Sequence, residues 1–235
     1  MLTEQRYEVI LKLLEEKNSI TVAEVKDLLN TSESTVRRDI TALHNAGKLV
    51  KVFGGAVACD RTVITHEPTV EQKAEVNVEA KQLVAAKAAA LIQPEDFIYL
   101  DAGTTTASML SYLTEKSATF VTNAVAHAKT LAAAGFRVYL IGGELKGSTE
   151  AVVGNQALMT LQNYHFTKGF FGTNGISTTA GFSTPDFSES NVKTEAIHHC
   201  QKRFILADSS KFKKVFPVTF ASIQEADIIT DTLPD

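Results

Sequence analysis

The chain has 235 residues, of which 44 % are hydrophobic and 21 % are charged, and its formal net charge is −4 at pH 7. This length can bury a substantial core and predicts a small domain plus a larger one. The negative charge argues against nonspecific coating of nucleic acid by the whole molecule, so any such contact must be local. The sequence shows no signal pattern and no apolar run that could span a bilayer, so we expect a cytoplasmic protein without a membrane partner.

Cysteine and histidine give no sign of a metal site. Cys59 and Cys200 have no CxxC spacing and suit a reducing compartment. The adjacent His198 and His199 would point in different directions on a helix, and no other His or Cys lies at ligand spacing. We therefore expect neither a metal nor a cofactor.

Three helical patterns and a hairpin pattern occupy residues 1–57. Apolar stripes mark the first two helices: Ile10, Leu13 and Leu14 in one, and Val22, Val25, Leu28 and Leu29 in the other. Residues 21–24 also have the capping-box pattern that begins a helix. The short gap to Ser32 predicts a tight turn, so a helix-turn-helix is expected over about residues 20–39.

The third helix of this region has a buried stripe and a polar face. Ser32 is a natural N-cap, and Gly47 is placed to end the helix through a left-handed turn. The buried stripe consists of Val36, Ile40 and Leu43. The polar face consists of Ser34, Arg37, Arg38 and Thr41.

A strand pattern at residues 49–53, followed by Gly54 and Gly55, predicts a wing beside this helix. An arginine pair on a helix can be a solvated face, but basic residues on the last helix and the wing lie where DNA phosphates would be. Contacts to double-stranded operator DNA are expected from Ser32, Ser34, Thr35, Arg37, Arg38, Thr41, Lys48 and Lys51. The pattern leaves open which arginine reads a base.

Strand and helix patterns alternate in the rest of the chain. Residues 58–77 lack a clear period and are predicted to link the DNA-binding domain, 1–57, to an effector domain, 78–235. Helices are predicted at 78–92, 105–114, 124–134 and 188–199, and strands at 97–100, 119–122, 137–141, 168–172, 203–207 and 227–230. Nearly continuous apolar strands are typical of a parallel sheet covered on both faces, so we predict an α/β fold.

The residues after the first of these strands predict an anion site. Ligands of open parallel sheets bind beyond the carboxyl ends of the strands, and residues 101–106 there read Asp-Ala-Gly-Thr-Thr-Thr. Gly103 would let the backbone approach a ligand, while hydroxyls and helix-start amides could bind phosphate oxygens. Asp101 would repel phosphate, so it is expected to accept hydrogen bonds from sugar hydroxyls. A plain strand-to-helix turn with threonine caps is the alternative.

Polar residues and glycines also follow the later strands and suit a small polar ligand. The expected effector contacts are Asp101, Gly103, Thr104, Thr105, Thr106, Asn123, Gly142, Gly143, Asn174, Lys193, Asp208 and Lys211. Lys193 or Lys211 could pair with a phosphate as a point charge. Either side chain could equally be exposed to solvent.

These motifs resemble the DeoR-type family of bacterial sugar-catabolism repressors along nearly the whole chain. In the first part the resemblance rests on Arg6, Ile10, Leu14, residues 32–40, Leu43, Gly47, Lys48 and residues 54–56. In the second part it rests on residues 101–106, 121–123, 141–145, 175–176 and 207–211. The resemblance implies a winged helix-turn-helix joined to a parallel-sheet sensor domain that is related in fold to ribose-5-phosphate isomerase and binds a phosphorylated sugar as inducer.

Two departures from the related patterns bear on the choice between a sensor and an enzyme. Lys73 stands where family members commonly carry an arginine, which removes bidentate recognition if that arginine contacted an anion. An approximate alignment puts Phe171 and Asn174 where the isomerases have paired aspartates. Asn174 cannot act as the general base that isomerisation needs, so we predict no catalytic residue. Glu189 leaves an opening for the alternative, an isomerase-like enzyme fused to a DNA-binding head.

The sequence therefore predicts a homo-oligomeric repressor, a dimer or tetramer, of a sugar-utilisation operon that a phosphorylated sugar relieves. Fructose 1-phosphate is the first choice because the opening segment and residues 32–35 most resemble the fructose-operon repressors of the family. Tagatose 6-phosphate and glycerol 3-phosphate stay open. A DNA-binding module without small-molecule control is a third class, which the convergent Gly, Thr and Asn residues at the strand ends disfavour.

Overall fold

The chain folds into two compact units. The computed structural model describes residues 2–17, 19–46, 48–58, 63–65 and 68–233. Its contacts divide the chain into Met1–Thr62 and Val63–Asp235, a division inside the segment predicted to be the linker. Gly47, the predicted end of the third helix, and Cys59 lie outside the described residues. Within the described ranges, no helix is long and apolar enough to cross a membrane, and no group of three or more His, Cys, Asp or Glu is placed to hold a metal ion.

The first unit is a winged helix-turn-helix. Its elements are α1 (Thr3–Lys17), β1 (Ser19–Thr21), α2 (Val22–Leu29), α3 (Glu33–Asn45), β2 (Leu49–Val52) and β3 (Gly55–Ala58). The strands form an antiparallel sheet in the order β1-β3-β2. The predicted wing is confirmed as the β2–β3 hairpin. The three-residue β1 was not predicted, because so short a segment shows no period of two.

Side-chain caps begin both helices of the tight turn. Thr21 and Glu24 form a reciprocal capping box at the start of α2. At the start of α3, the Ser32 side chain accepts a hydrogen bond from the backbone N–H of Thr35. These caps satisfy backbone donors that have no partner inside the helix. The sequence patterns at residues 21–24 and at Ser32 therefore set both helix starts as predicted.

The predicted apolar stripes meet in one core. Its members include Ile10, Leu14, Val22, Val25, Leu29, Val36, Ile40 and Leu43. Leu28 was expected among them, but its side chain is 56 % exposed. Consecutive residues of a helix project about 100° apart, so Leu28 and Leu29 cannot both face the core.

An ion pair joins α1 to α3. The Arg6 guanidinium donates to both carboxylate oxygens of Asp39, from Nε to Oδ2 at 2.7 Å and from Nη2 to Oδ1 at 3.0 Å. Asp39 is buried although neighbouring residues of its helix are exposed. Two parallel hydrogen bonds restrict the geometry of the pair, so this contact helps to fix the orientation of α3 on α1.

The second unit contains six α-helices and eleven strands within its described residues. The helices are α4 (Val70–Ala74), α5 (Val78–Ala89), α6 (Thr104–Met109), α7 (Val125–Ala133), α8 (Asn155–Leu161) and α9 (Phe187–His198), with 3-10 helices at Leu110–Tyr112 and Ser209–Lys211. The strands are β4 (Phe97–Leu100), β5 (Thr119–Thr122), β6 (Arg137–Leu140), β7 (Glu144–Lys146), β8 (Ala151–Val153), β9 (Phe166–Gly172), β10 (Gly175–Ser177), β11 (Gly181–Thr184), β12 (Cys200–Leu206), β13 (Val218–Ala221) and β14 (Asp227–Ile229).

Six parallel strands form the central sheet of this unit, in the order β14-β12-β9-β4-β5-β6. This arrangement confirms the predicted α/β fold. The chain runs outward from β4 through β5 to β6 and then returns to β9 on the other side of β4. The strand order therefore reverses between β4 and β9. Open parallel sheets bind their ligands beyond the carboxyl ends of the two strands that flank such a reversal.

Apolar side chains cover both faces of the sheet. One cluster packs Val84 and Ala88 of α5 with Phe170 of β9. The other packs Phe171 of β9 with Val192 of α9. Alternate residues of a strand face opposite sides, so the consecutive phenylalanines of β9 serve the two cores. Phe171, placed by alignment where the isomerases have a carboxylate, is thus a core residue.

Several elements of this unit are absent from the sequence-based prediction. Strands β7 and β8 form an antiparallel hairpin, and β10, β11 and β13 form a small antiparallel sheet. Strands of three or four residues show no period of two, and the predicted strands of this length, such as β4, were found from apolar runs instead. Helix α4 lies inside the predicted linker, where Thr69 and Gln72 form a capping box. The helix predicted at residues 105–114 is shorter, because α6 ends at Met109 and a 3-10 helix follows.

Gly169 in β9 leaves no room for a side chain. An added Cβ would lie 2.5 Å from Phe171 Cε2 and would also collide with Cys200 Sγ. Overpacking of a core typically costs about 1–3 kcal/mol, so we expect Gly169→Ala to lower the free energy of unfolding of this unit by that amount. Urea denaturation measures the change. Gly147→Ala is the matched control because no atom lies within 4 Å of its added Cβ. Equal midpoints for the two variants would contradict the packing argument.

Candidate functional site

The N-terminal end of α3 presents hydroxyls and guanidinium groups outward. The Ser32 hydroxyl lies 2.9 Å from the hydroxyls of both Ser34 and Thr35. Arg37 and Arg38 follow on the next turn and are exposed. The predicted DNA-binding groups of this helix therefore lie together on an accessible surface.

Arg37 has an exchangeable partner on its own helix. Its Nη2 lies 3.4 Å from Glu33 Oε2, and both side chains are more than half exposed. Exposed pairs of this kind contribute only about 0–1 kcal/mol. The guanidinium can therefore leave Glu33 for a phosphate or a base edge at small cost.

Side-chain contacts attach the wing to α3. Lys51 Nζ donates to Thr41 Oγ1 at 3.0 Å, and His44 Nδ1 lies 3.3 Å from the Leu49 carbonyl oxygen. The Thr41 hydroxyl also donates to the Arg37 carbonyl at 2.7 Å. Thr41 is half-buried in this contact, so its hydroxyl serves the helix and the wing as well as facing outward. Both wing lysines, Lys48 and Lys51, are exposed.

A cavity of about 170 Å³ lies at the carboxyl ends of β4 and β9, where the strand order reverses. Seven of the predicted effector contacts line it: Gly103, Thr104, Thr105, Asn174, Lys193, Asp208 and Lys211. The other five predicted contacts, Asp101, Thr106, Asn123, Gly142 and Gly143, are not lining residues. The structure gives each of these five a different position.

Asp101 forms a clamp behind the cavity wall. Its Oδ2 accepts hydrogen bonds from Lys193 Nζ and, at 3.0 Å, from the Gly172 backbone N–H. Lys193 Nζ also donates to the Gly172 carbonyl at 3.2 Å. Burial raises the pKa of Asp101, and the Lys193 ammonium opposes that rise. The expected hydrogen bonds from sugar hydroxyls to Asp101 are not supported, because its carboxylate holds the ends of β4 and β9 together.

Thr106 and Asn123 support the loop after β4 from behind. The Thr106 hydroxyl donates to the Gly103 carbonyl at 2.9 Å and is fully buried. Asn123 Oδ1 accepts a hydrogen bond from the Ala102 backbone N–H at 2.8 Å. Both side chains therefore fix the backbone of the loop whose next residues, Gly103 and Thr104, line the cavity.

Gly142 and Gly143 lie away from the cavity, at the entry to the β7–β8 hairpin. A Cβ on Gly143 would lie 2.5 Å from the Val153 carbonyl oxygen, and its φ is 152°. The close approach of two backbones explains the glycine there. Sequence reasoning placed these residues at the site because they follow a strand, but they follow β6, at the edge of the sheet.

Asp208 lines the cavity, and one of its carboxylate oxygens has no hydrogen-bond partner. Its Oδ1 accepts hydrogen bonds from Asn77 Nδ2 at 3.0 Å, from the Ser210 backbone N–H at 3.1 Å and from the Ser210 hydroxyl. Its Oδ2 is buried and has no hydrogen-bond partner. A buried acceptor without a donor is unfavourable, so a ligand hydroxyl or ammonium group would be stabilised there.

Two lysines, the buried Lys81 and the half-buried Lys211, stand beside Asp208. Burial lowers the pKa of Lys211, and the Asp208 carboxylate opposes that effect. Burial also lowers the pKa of Lys81, with a further contribution from the charge of Lys211. Lys81 Nζ donates to the Lys73 carbonyl. The two ammonium groups are thus held in surroundings that disfavour their charged forms.

Lys81 and Lys73 line the cavity but were not among the predicted effector contacts. A sequence signal for Lys81 existed: it shares the helical stripe of Val84, Ala85 and Ala88, which are all buried in α5. A lysine in a buried stripe needs a charged or polar partner. No comparable signal marks Lys73, because the short helix α4 was not predicted.

Glu189 also lines the cavity but is engaged by neighbours. Its Oε1 accepts hydrogen bonds from Lys146 Nζ at 3.0 Å and from the Thr149 hydroxyl at 2.5 Å. Asn174, the other residue considered for chemistry, accepts from the Thr184 hydroxyl at 3.3 Å through Oδ1. The arrangement suits binding, since the carboxylate considered as a base is already paired with an ammonium group.

The cavity carries an excess of positive charge. Four lysines, Lys73, Lys81, Lys193 and Lys211, and two carboxylates, Asp208 and Glu189, line it, an excess of two formal charges. Among the described residues, adding the ion-pair partners Asp101, Lys146 and Asp186 lowers the excess to one. A phosphate monoester carries about −1.5 to −2 charges at pH 7, so its charge is opposite in sign to this excess.

Comparisons with known proteins match both units. Residues 6–62 match the DeoR-like helix-turn-helix domain, and residues 76–232 match the DeoR C terminal sensor domain. Among solved structures, the chain is similar to ribose 5-phosphate isomerase A from Methanocaldococcus jannaschii, with 16 % sequence identity and a TM-score of 0.42 over 58 % of this chain and 55 % of that one.

Whole-chain relatives are named as transcriptional regulators. The chain is 40 % identical to the "Uncharacterized HTH-type transcriptional regulator FruR" of Bacillus subtilis (strain 168), over 98 % of this chain and 91 % of the relative. It is 32 % identical to the "Lactose phosphotransferase system repressor" of Streptococcus mutans serotype c, over 100 % and 94 %. With both domain matches and this coverage, the chain belongs to the DeoR family of transcriptional regulators and is a regulator rather than an enzyme.

Proposed function

We propose that this protein represses a sugar-utilisation operon and releases its operator when a phosphorylated sugar binds the second unit. The cavity at the ends of β4 and β9 carries the proposal. It combines an excess of two positive charges with a buried carboxylate oxygen that has no donor. A sugar phosphate supplies both missing partners, a dianion and a hydroxyl.

The phosphate would sit among Lys81, Lys211 and the loop after β4. The lysines act as point charges, and the Thr104 and Thr105 hydroxyls and the loop amides donate to the phosphate oxygens. Asp208 Oδ2 would accept a hydrogen bond from a sugar hydroxyl. Lys193 would hold the loop ends through Asp101 and so support the phosphate site indirectly.

We propose fructose 1-phosphate as the first candidate effector. The proposal rests on the opening segment and residues 32–35, which resemble those of fructose-operon repressors. Tagatose 6-phosphate and glycerol 3-phosphate share the phosphate and hydroxyl chemistry that the cavity would bind. These three compounds form the panel for the effector test below.

Helix α4 would connect the effector to the DNA-binding unit through the chain itself. It is the first helix after the unit boundary at Thr62, and its Gln72 and Lys73 line the cavity. The Lys73 carbonyl is bound by Lys81, one of the proposed phosphate ligands. An effector that binds one arrangement of this segment better than another shifts the population toward that arrangement, which is what induction requires.

In the first unit, α3 would lie in the major groove of the operator DNA, and the protein would act in the cytoplasm. Arg37 or Arg38 would read a guanine edge, while Ser32, Ser34 and Thr35 would fix the helix N-terminus on the backbone. Lys48 and Lys51 would contact phosphates beside the groove. Two or four copies of the chain would read paired half-sites, because helix-turn-helix proteins bind half-sites as symmetric oligomers.

The effector proposal is tested by the release of a labelled duplex that the wild-type protein selects from a randomised library. We expect one phosphosugar of the panel to release it and unphosphorylated fructose to have no effect. Lys211→Met should weaken both the phosphosugar and inorganic phosphate at least tenfold, because hydrogen bonds to charged groups contribute about 1.5–3 kcal/mol. Lys202→Met, at an exposed lysine of β12, is the matched control.

Asp208→Asn separates the sugar from the phosphate. It should weaken binding of the phosphosugar but not of inorganic phosphate, since only the sugar would extend a hydroxyl from the phosphate site to Asp208. If no sugar phosphate of the panel changes either the melting temperature of the protein or its binding to the duplex, the chain is a DNA-binding module without control by these sugars. Turnover of a sugar phosphate that is abolished by Glu189→Gln would support the isomerase alternative.

Effector affinity should fall as the pH rises above neutral. The pKa values of Lys81 and Lys211 are lowered by burial, so these groups lose their charge at a lower pH than an ordinary lysine does. A bound phosphate favours the charged form, so binding should take up protons in that range. Calorimetry in buffers of different ionisation enthalpy measures this uptake. Constant affinity up to pH about 10.4, the ordinary lysine value, would contradict the roles of both lysines.

Substitution of the two arginines of α3 is expected to change DNA binding differently from substitution of the wing lysines. Alanine at the base-reading arginine should cost about 1–3 kcal/mol and relax the preference at one base pair, whereas Lys48→Ala should weaken all duplexes alike and reduce the salt slope by about one. Anisotropy titrations against single-base variants of the selected duplex measure this, with Lys129→Ala on the second unit as the control. Equal and uniform losses for Arg37→Ala and Arg38→Ala would argue against base reading by either.

A further inference from the structure

The wing ends in a phenylalanine that the first unit does not bury. Phe53 has a relative exposure of 108 %, the highest among the exposed large apolar residues of the described chain. It stands at the turn between β2 and β3. Single exposed apolar residues are ordinary on protein surfaces, so exposure alone does not assign a role. The position of the ring and the charges around it are the evidence for a role.

The turn that carries Phe53 is conformationally defined. Val52 and Gly55 are paired across the hairpin, so Phe53 and Gly54 form a two-residue connection. Gly54 has φ 82°, the conformation that the third position of a type II turn requires. Gly55 packs so closely on Ile20 that a Cβ there would collide with the Ile20 carbonyl oxygen. The ring is therefore presented from a fixed hairpin and not from a flexible loop.

The hairpin is also fixed to α3. The Lys51–Thr41 hydrogen bond and the contact between His44 and the Leu49 carbonyl join the two elements. A partner that binds α3 in a groove would therefore meet the wing tip at a fixed position relative to α3. This coupling makes Phe53 a companion of the helix that carries Arg37 and Arg38.

The charge around the ring selects its partner. Lys48 and Lys51 are exposed on the wing, and Arg37 and Arg38 are exposed on α3. A second copy of the chain that used this same surface for a symmetric contact would bring like charges against it. A polyanion with apolar edges fits it better, and the nucleic-acid groove offers both phosphates and the faces of sugars and bases.

We propose that Phe53 enters the minor groove beside the half-site read by α3 and packs against the sugars and edges of one base step. This inference rests on the proposed placement of α3 in the major groove. An apolar side chain inserted into the minor groove partly unstacks a step, and pyrimidine–purine steps yield most easily. Phe53 thus adds sequence preference at a position where it makes no polar contact.

The experiment compares full-length variants on the duplex selected by the wild-type protein. Phe53→Ala should weaken binding about tenfold or more, because the burial of an apolar ring in the groove is lost, and should leave the salt slope unchanged because no charge is removed. Phe53→Leu should retain most of the affinity, because it keeps an apolar wedge. Phe187→Ala is the matched control, since that phenylalanine is 67 % exposed at the start of α9 in the second unit.

The arginine variants separate failure of this inference from failure of the proposed function. If Arg37→Ala or Arg38→Ala loses affinity while Phe53→Ala stays within twofold of wild type, the wedge is wrong and the placement of α3 stands. If none of these variants loses affinity, the placement of α3 itself is wrong. A changed oligomeric state of Phe53→Ala in sedimentation velocity would assign the ring to contacts between copies and would overturn the proposal.

Discussion

Positive charge buried at the carboxyl ends of β4 and β9 is the constraint on which the second unit depends. The lowered pKa values of Lys81 and Lys211 show that their surroundings disfavour the charged form. Asp208 offsets part of this cost for both lysines, and the Lys73 carbonyl accepts a hydrogen bond from Lys81. Under the proposed function, a bound dianion would complete that compensation, and the free energy lost in burying these lysines would be recovered as affinity for the ligand.

Two aspartates that each follow a strand differ in how their carboxylates are hydrogen-bonded. Asp101 follows β4 and Asp208 follows β12, each as the first polar group after an apolar strand. Asp101 is satisfied by Lys193 and the Gly172 amide and holds the strand ends together. Asp208 keeps one oxygen without a donor. The difference arises from which helix packs beside each strand, a tertiary property that strand-end patterns do not carry.

Local patterns predicted the first unit well because its elements are set by local interactions. The Thr21 and Ser32 caps, the stripe of α3 and the wing all depend on residues a few positions apart. The parallel sheet was also predictable, since buried parallel strands are continuously apolar. The residues that line the cavity were harder to predict. Gly142 follows an edge strand and so lies away from the cavity, while Lys81 lies more than 100 residues along the chain from its neighbour Lys211. Contacts across such separations depend on strand order, which a single sequence does not state.

The two units use positive charge in opposite ways. Arg37 and Lys48 are exposed, so under the proposed function their attraction to DNA phosphates would be screened by salt and their contacts could form and break on a duplex. The cavity lysines Lys81 and Lys193 are buried, where screening is weak and an anion must fit among fixed donors. Weakly held exposed charges suit a surface that must release its partner, and buried charges suit a site that must distinguish one small anion from another. A regulator needs both properties, and this chain separates them into two units.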